Sequence, residues 1–211
     1  MSTLITVVTP PTGAPLLETA LESVAQQTYR HVQHLIVIDG AERSAAARKI
    51  IANRPIDLIE LPYATGIDRY NGHRIYGAAT FPARGEAMCF LDEDNWMDKD
   101  HLESLVRVLE RGNEWAFSLR KITDQHGKFV CHDNCEPLGK WPTVISPTDY
   151  LVDVNCFLLP KTLAVNLAPL WYRRARERGV VEVDRMLTQL HDQLPRGQHC
   201  EFGKAELLPS R

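Results

Sequence analysis

Asp92-Glu93-Asp94-Asn95 places three acids in succession immediately after the apolar run Ala87 to Leu91. Adjacent carboxylates repel one another, so a cation in a sheet-end crevice would compensate them. Hard oxygen ligands suit Mg²⁺ or Mn²⁺, ions that typically take one or two carboxylates and complete their shell with substrate phosphates. The same triplet would also suit a solvated turn at a helix N-terminus, where acids complement the helix dipole. Two further polar positions close apolar runs. Thr9 precedes Pro10-Pro11, and Asp39 precedes Gly40. Three polar clusters at the ends of three apolar runs favour a functional crevice over a solvated turn.

The pattern around them is an alternation of strands and helices. Short apolar runs at Leu4–Thr9, Val32–Ile38, Ile56–Leu61 and Ala87–Leu91 read as buried strands, and Trp115–Ile122 as a fifth. Helical spacing appears in Leu17 to Gln27, Ala45–Ile51, Asp68–Ala79 and Leu102–Leu109. Asp98 or Asp100 suits the N-cap of the last of these, and Gly112 lies just past its end. Strands alternating with such helices predict an α/β fold with a mostly parallel sheet flanked by helices. Ligands then bind beyond the carboxyl ends of the strands, where Thr9, Asp39 and Asp92 to Asn95 fall. The second half is less regular. Residues 123–150 predict a hairpin and loops, Val154–Leu159 a strand, Leu163–Ala168 a helix cut off by Pro169, and Val183–Leu190 a further helix.

Composition narrows the function classes. The 211 residues suit one domain, with 44% hydrophobic and 24% charged side chains and a net charge of −3. That charge argues against a chain built mainly to grip nucleic acid. No apolar stretch approaches the ~20 residues of a membrane span. The N-terminus reads as a first strand and not as a signal peptide, and five irregularly spaced cysteines argue against a disulfide framework. A soluble protein of a reducing cytoplasm is expected. The sequence contains no G-x-G-x-x-G after the first strand, no G-x-x-x-x-G-K-[ST] and no G-x-S-x-G. An acidic metal site without a phosphate-cradling glycine loop leaves phosphate neutralisation to the metal.

Several segments in register resemble family 2-type glycosyltransferases. They are Ile5-Thr6-Val7-Val8-Thr9-Pro10, Glu22 to Tyr29, Leu35-Ile36-Val37-Ile38-Asp39-Gly40, and Arg84-Gly85-Glu86-Ala87 leading to Phe90-Leu91-Asp92-Glu93-Asp94-Asn95-Trp96, the D-x-D segment. The resemblance spans roughly residues 4–112, with a weaker tail to about 191. It implies a single GT-A domain over 1–211, with a Rossmann-like nucleotide-sugar-binding half (1–112) and a small acceptor-binding half (113–211). It implies metal-dependent, inverting transfer of a sugar from a nucleotide-sugar donor, most often a UDP-sugar, to an acceptor hydroxyl, with Mn²⁺ or Mg²⁺ as cofactor. By position, Thr9, Pro10 and Asp39 would hold the base, and Asp92 and Glu93 would lie near the ribose. Arg74, or alternatively Arg69, would meet the phosphates. Asp94, with Asp92 and a late histidine such as His191, would bind the metal. Val180 to Arg185 resembles the late acidic segment of the family, which makes Asp184 the general base and Glu182 its reserve. The sequence departs from the family at Ile38, Ala41 and Ile75, where an acid, Ser and Asn are usual.

Two rival readings share this fold. A sugar-phosphate nucleotidyltransferase normally carries a Gly-rich, Arg-containing loop after its first strand, and Thr9 to Pro15 contains no Arg. A non-catalytic nucleotide-sugar-binding module would not need both Asp92 and Asp94. The acceptor stays open between glycan, lipid-linked sugar, protein and modified nucleobase. An acceptor half of about a hundred residues predicts a shallow site, or one completed by a second copy or a partner subunit. Cys131 and Cys135 lack the second ligand pair of a zinc site and read as free loop thiols, while Cys89 and Cys156 read as buried hydrophobes. Arg173 to Arg178 reads as a solvated helix face, and Trp96 or Trp141 as a surface for a sugar ring.

Overall fold

The computed structural model describes residues 2–67, 70, 72–124, 126–133 and 152–172. Glu182, Asp184, His191, Arg69, Cys135, Trp141 and the Arg173 to Arg178 run lie outside the described residues.

The chain opens with β1 (Ile5–Thr9), α1 (Leu17–Ala25), β2 (Val32–Asp39), α2 (Ala41–Ile51) and β3 (Asp57–Leu61). It continues through α3 (His73–Ala79), β4 (Ala87–Phe90), α4 (His101–Glu110) and β5 (Ala116–Phe117). A two-stranded hairpin, β6 (Lys121–Thr123) and β7 (Phe129–His132), precedes β8 (Phe157–Pro160) and α5 (Lys161–Leu167). The main sheet has the order β3-β2-β1-β4-β8-β5. β1, β2, β3 and β4 run parallel, and β8 runs antiparallel to both β4 and β5.

The α/β expectation and its mostly parallel sheet are therefore met, with one reversed strand between β4 and β5. Two element boundaries differ from the sequence reading. The expected strand Trp115–Ile122 is broken. The pairing with β8 reaches as far as Ser118, whose N–H donates to the Cys156 carbonyl, and beyond it Arg120 turns toward Asp153 and Asp133. The expected strand from Val154 begins as a 3-10 turn, because the Asp153 carboxylate captures the N–H of Asn155. α5 ends at Leu167, just before Pro169, as expected. Pro169 itself sits inside a 3-10 turn, Ala168–Tyr172, that continues from α5.

Side chains alternate across the sheet. Ile5 and Val7 face α1 and α4, and Ile36 and Ile38 face α1 and α2. Val8, Leu35, Met88 and Phe90 face α3, α5 and the turn that follows it. Gln27, buried at the end of α1, caps α4. Its Oε1 accepts from Leu102 N at 3.0 Å, and its amide donates to the Asp98 carbonyl. Asp100 holds the N-cap position without a side-chain cap bond. The strand order changes direction at β1, which lies between β2 and β4. The carboxyl ends of β1 and β4 are thus the switch-point crevice where such sheets take ligands. Among the described residues no helix is long and apolar enough to cross a membrane.

Candidate active site

The crevice is built from the core outward. Tyr76 on α3, Phe90 at the end of β4 and Trp171 pack edge to face, with ring centroids 4.9 to 5.6 Å apart. Gly77 permits this approach, since a Cβ there would lie 2.9 Å from the Ala168 carbonyl oxygen. The cluster holds the Tyr76 hydroxyl against Asp92 Oδ1, to which it donates. Asn155 holds the other side. Its Nδ2 donates to Asp92 Oδ2 at 3.0 Å, and its Oδ1 accepts from Asp92 N at 2.6 Å. Asn155 is itself fixed by Asp153, which Arg120 joins to Asp133. Burial holds the Asp92 carboxyl above its usual range, against the lowering effect of the Tyr76 and Asn155 hydrogen bonds, while Asp153 and Asp94 add to the rise.

Glu93 does other work. Its carboxylate accepts from the Thr12 hydroxyl and from the backbone N–H groups of Gly13 (3.0 Å) and Ala14 (3.1 Å). It therefore ties the end of β4 to the loop after β1, across the crevice. Gly13 takes a φ of +89° in that loop, and a Cβ there would meet Ala46 at 2.7 Å. Asp94 is exposed, and among the described residues it accepts only from the Asn95 amide, at 2.9 Å.

Asp39 is buried at the end of β2. Its two oxygens accept from the N–H groups of Thr65 (2.6 Å) and Gly66 (2.7 Å), so it orders the loop after β3. Each oxygen keeps a second lone pair. Arg74 closes the same corner, donating to the Thr65 carbonyl at 2.9 Å with its guanidinium 3.6 Å from the Tyr70 ring centroid. The Thr9 hydroxyl is spent inside the sheet, 3.0 Å from His34 Nε2. Pro10 packs against the start of α3, where Gly72 leaves room for it.

The structure thus brings Thr9, Pro10, Asp39, Arg74, Asp92, Glu93 and Asp94 to one end of the sheet. Sequence reasoning missed Tyr76, Asn155, Asp153 and Arg120. An aromatic in a helix and polar residues in an irregular segment carry no local signal of their partners. Cys89 and Cys156 are free and buried, as expected, and burial pushes the Cys156 thiol up to about 12. Cys131 is free and exposed on strand β7, where a loop was expected.

One electrostatic property unites the four acids. Asp39, Asp92, Glu93 and Asp94 are held by hydroxyls, amides and backbone N–H groups, and among the described residues none is ion-paired. Negative charge therefore accumulates at the crevice, and Arg74, the cation described at its corner, donates to the Thr65 carbonyl and packs on Tyr70. No group of three or more His, Cys, Asp or Glu side chains placed to hold a metal occurs among the described residues. One or two carboxylates nonetheless fit a divalent ion that takes its remaining oxygens from phosphate and water.

The profile of Glycosyl transferase family 2 matches residues 6–132, more than half of the chain. The chain belongs to this family. Comparison with curated proteins found no match. Among solved structures it is similar to S. aureus TarS 1–349, with a TM-score of 0.60 and 17% identity over 88% of this chain and 54% of that one. It is similar to the same protein in complex with UDP-GlcNAc, with a TM-score of 0.54 and 16% identity over 78% of this chain and 47% of that one. It is also similar to the mannosyltransferase PcManGT from Pyrobaculum calidifontis in complex with GDP-Man and Mn²⁺, with a TM-score of 0.58 and 20% identity over 79% and 47%. At these identities the likeness establishes the GT-A fold. The chain spans about half the length of TarS 1–349 and a third of the longer TarS structure.

Proposed function

We propose that this family 2 domain is a metal-dependent, inverting glycosyltransferase that moves a sugar from a nucleotide-sugar donor, a UDP-sugar, to an acceptor hydroxyl. The observation that carries the reading is the set of four carboxylates at the switch point, each held, among the described residues, by neutral donors. A bound Mn²⁺ or Mg²⁺ would supply charge stabilisation for the departing diphosphate. Asp94, exposed and nearly unengaged, is its main protein ligand, and Asp92 stands beside it.

The other roles follow from position. Asp39 offers its remaining lone pairs to a base N–H, and the backbone of Thr9 and Pro10 lines the base. Asp92, fixed on both sides, faces the ribose. Arg74 meets the phosphates by leaving the Thr65 carbonyl. Glu93 keeps the crevice lips in register and contacts the nucleotide only through the loop it holds. The acceptor oxygen must lose its proton as it attacks, and Asp184 takes it, with Glu182 in reserve. The TarS complexes with UDP-GlcNAc and UDP, and the PcManGT complex with GDP-Man and Mn²⁺, support the donor class and the metal.

A titration of UDP-, GDP-, CMP- and dTDP-sugars, with and without Mn²⁺, tests the proposal. A UDP-sugar should bind, and more tightly with Mn²⁺; binding of none of them overturns it. In the same assay Asp184→Asn should keep donor affinity and lose about 10²-fold or more of transfer, as removal of a general base does.

A further inference from the structure

The β6–β7 hairpin lies outside the main sheet, yet a chain of polar contacts runs from its base to the crevice. Arg120 immediately precedes β6 and Asp133 immediately follows β7. Arg120 closes the hairpin between them. Its Nε and Nη2 lie 2.8 and 2.6 Å from Asp133 Oδ2, and its carbonyl accepts from Asp133 N at 3.3 Å. The other arm of the guanidinium, Nη1, donates to Asp153 Oδ2. Arg120 has no part in the chemistry proposed above.

Beyond Asp153 each bond is directional. Asp153 Oδ1 accepts from Asn155 N at 2.9 Å and from Asn155 Nδ2 at 2.8 Å. Asn155 Nδ2 gives its second hydrogen to Asp92 Oδ2, and Asn155 Oδ1 accepts from Asp92 N. The sense of the Asn155 amide is thereby fixed. Turned over, it would set its oxygen against two carboxylates and its NH2 against a backbone N–H. The bonds therefore run Asp133, Arg120, Asp153, Asn155, Asp92, from the hairpin base to the acid assigned above to the ribose.

Charge explains why an arginine stands in this chain. The Asp133 and Asp153 side chains are 5% and 15% exposed. Two carboxylates so far removed from water repel each other unless a cation stands between them. A guanidinium is a planar fork of donors and serves both at once, whereas lysine offers a single ammonium. Loss of the bridge lets Asp153 turn toward water. Asn155 then loses the partner that sets its amide, and Asp92 loses the hold on one of its sides.

We propose that Arg120 is a positioning residue of the donor site. Acting through Asp153 and Asn155, it fixes Asp92 so that the crevice distinguishes a ribonucleotide from a nucleotide without ribose hydroxyls. The inference rests on the assignment of Asp92 to the ribose and adds the residue, outside the crevice, that maintains it.

Titration of the full chain with UDP, and with the diphosphate of dideoxyuridine, which lacks both ribose hydroxyls, tests it at a fixed Mn²⁺ concentration. The parent should bind UDP about tenfold more tightly, since the dideoxy ligand forfeits a hydrogen bond to a charged group. Arg120→Ala should narrow that ratio to about twofold or less by weakening UDP alone, with the Kd of the dideoxy ligand unchanged. Asp153→Asn makes the same comparison at constant volume and serves if Arg120→Ala does not fold. An amide there presents its NH2 either to Arg120 or to Asn155, so one link is lost in either orientation, and the ratio should narrow equally. Equal weakening of both ligands, which a merely structural role would produce, or an unaltered ratio in the folded variants, overturns the inference. A parent that binds both ligands equally overturns it as well and leaves the donor reading standing. A parent that binds neither UDP nor a UDP-sugar overturns the donor reading and this inference with it.

Discussion

The two ends of the central sheet are both polar, yet they are built on opposite principles. At the amino ends of the strands, Thr6 donates to Gln33 Oε1 at 2.6 Å, and Gln33 Nε2 donates to Asp57 at 2.6 Å. Gln33 also accepts from Arg84 N, Thr6 from Gly85 N, and the Arg84 guanidinium meets Asp57 at 2.7 Å. These donors all have acceptors, and Asp57 has its cation in Arg84. Gly85 lets the backbones close, since a Cβ would lie 2.5 Å from Thr6 N. At the carboxyl ends four acids are held in place by neutral donors, and among the described residues none is ion-paired. The contrast shows how one sheet separates tasks. A saturated network rigidifies the fold, whereas a positioned but unbalanced one stores an affinity for cations.

Breaking the carboxyl end should therefore cost chemistry and little stability. Asp94→Ala should lower metal-dependent nucleotide-sugar turnover by at least ~10²-fold, in line with losing an electrostatic stabiliser of a leaving group. Thermal melting should shift by no more than about 1–2 °C, because the side chain is exposed and, among the described residues, engages only Asn95. Full activity in this variant, or activity indifferent to a chelator, would remove Asp94 from the metal site.

The amino end should behave in the opposite way. Gln33→Leu strands the Thr6 hydroxyl and the Arg84 N–H, and urea denaturation should show a loss of about 2–3 kcal/mol. Donor affinity, measured by titration in the absence of urea, should be unchanged. A variant that folded as well as the parent would mean that this network adds nothing to rigidity.

Asn155→Ala lies between these cases, because it releases Asp92 without removing it. Donor Kd should rise about tenfold with a stability loss of about 1 kcal/mol. Equal donor affinity in this variant would separate the position of Asp92 from nucleotide binding.

The last effect, absent at neutral pH, concerns acid sensitivity. His34 is buried beside Thr9, and burial, with a smaller contribution from Arg54, pushes its imidazole down to about 3. Its ordinary value is near 6.5, so between the two the unfolded chain binds the extra proton and the folded chain does not. Stability is then complete above about pH 6.5 and declines as pH falls toward 3. His34→Gln should flatten that decline in pH-dependent denaturation while leaving His101 to supply a weaker one. An unchanged acid limb would place the titration elsewhere.

Legibility in the sequence followed the range of the interactions. β1, β2, β3, β4 and the helices between them were readable because apolar periodicity is local. Thr9, Asp39 and Asp92 to Asp94 were readable as strand-end groups for the same reason. The break of Trp115–Ile122 into β5 and β6 was not, because Arg120 is engaged by Asp153, more than thirty residues ahead in the chain. The tasks of Glu93 and Gln27 were equally hidden. One spans the crevice to Thr12 and the other reaches Leu102, so neither bond is implied by its neighbours in the chain.

The order of residues by itself determined which acids stand at the carboxyl ends of the strands, since an apolar run and its breaker are written side by side. It also determined the family, through segments kept in register from Thr6 to His132. Tertiary structure alone decided which carboxylates are spent and which remain free. Tyr76 and Asn155 reach Asp92 from other parts of the chain, Thr12 to Ala14 take up Glu93, and Asp94 is left to the crevice. A carboxylate's affinity for a cation depends on its remaining lone pairs and its hydration, and only the folded arrangement sets both.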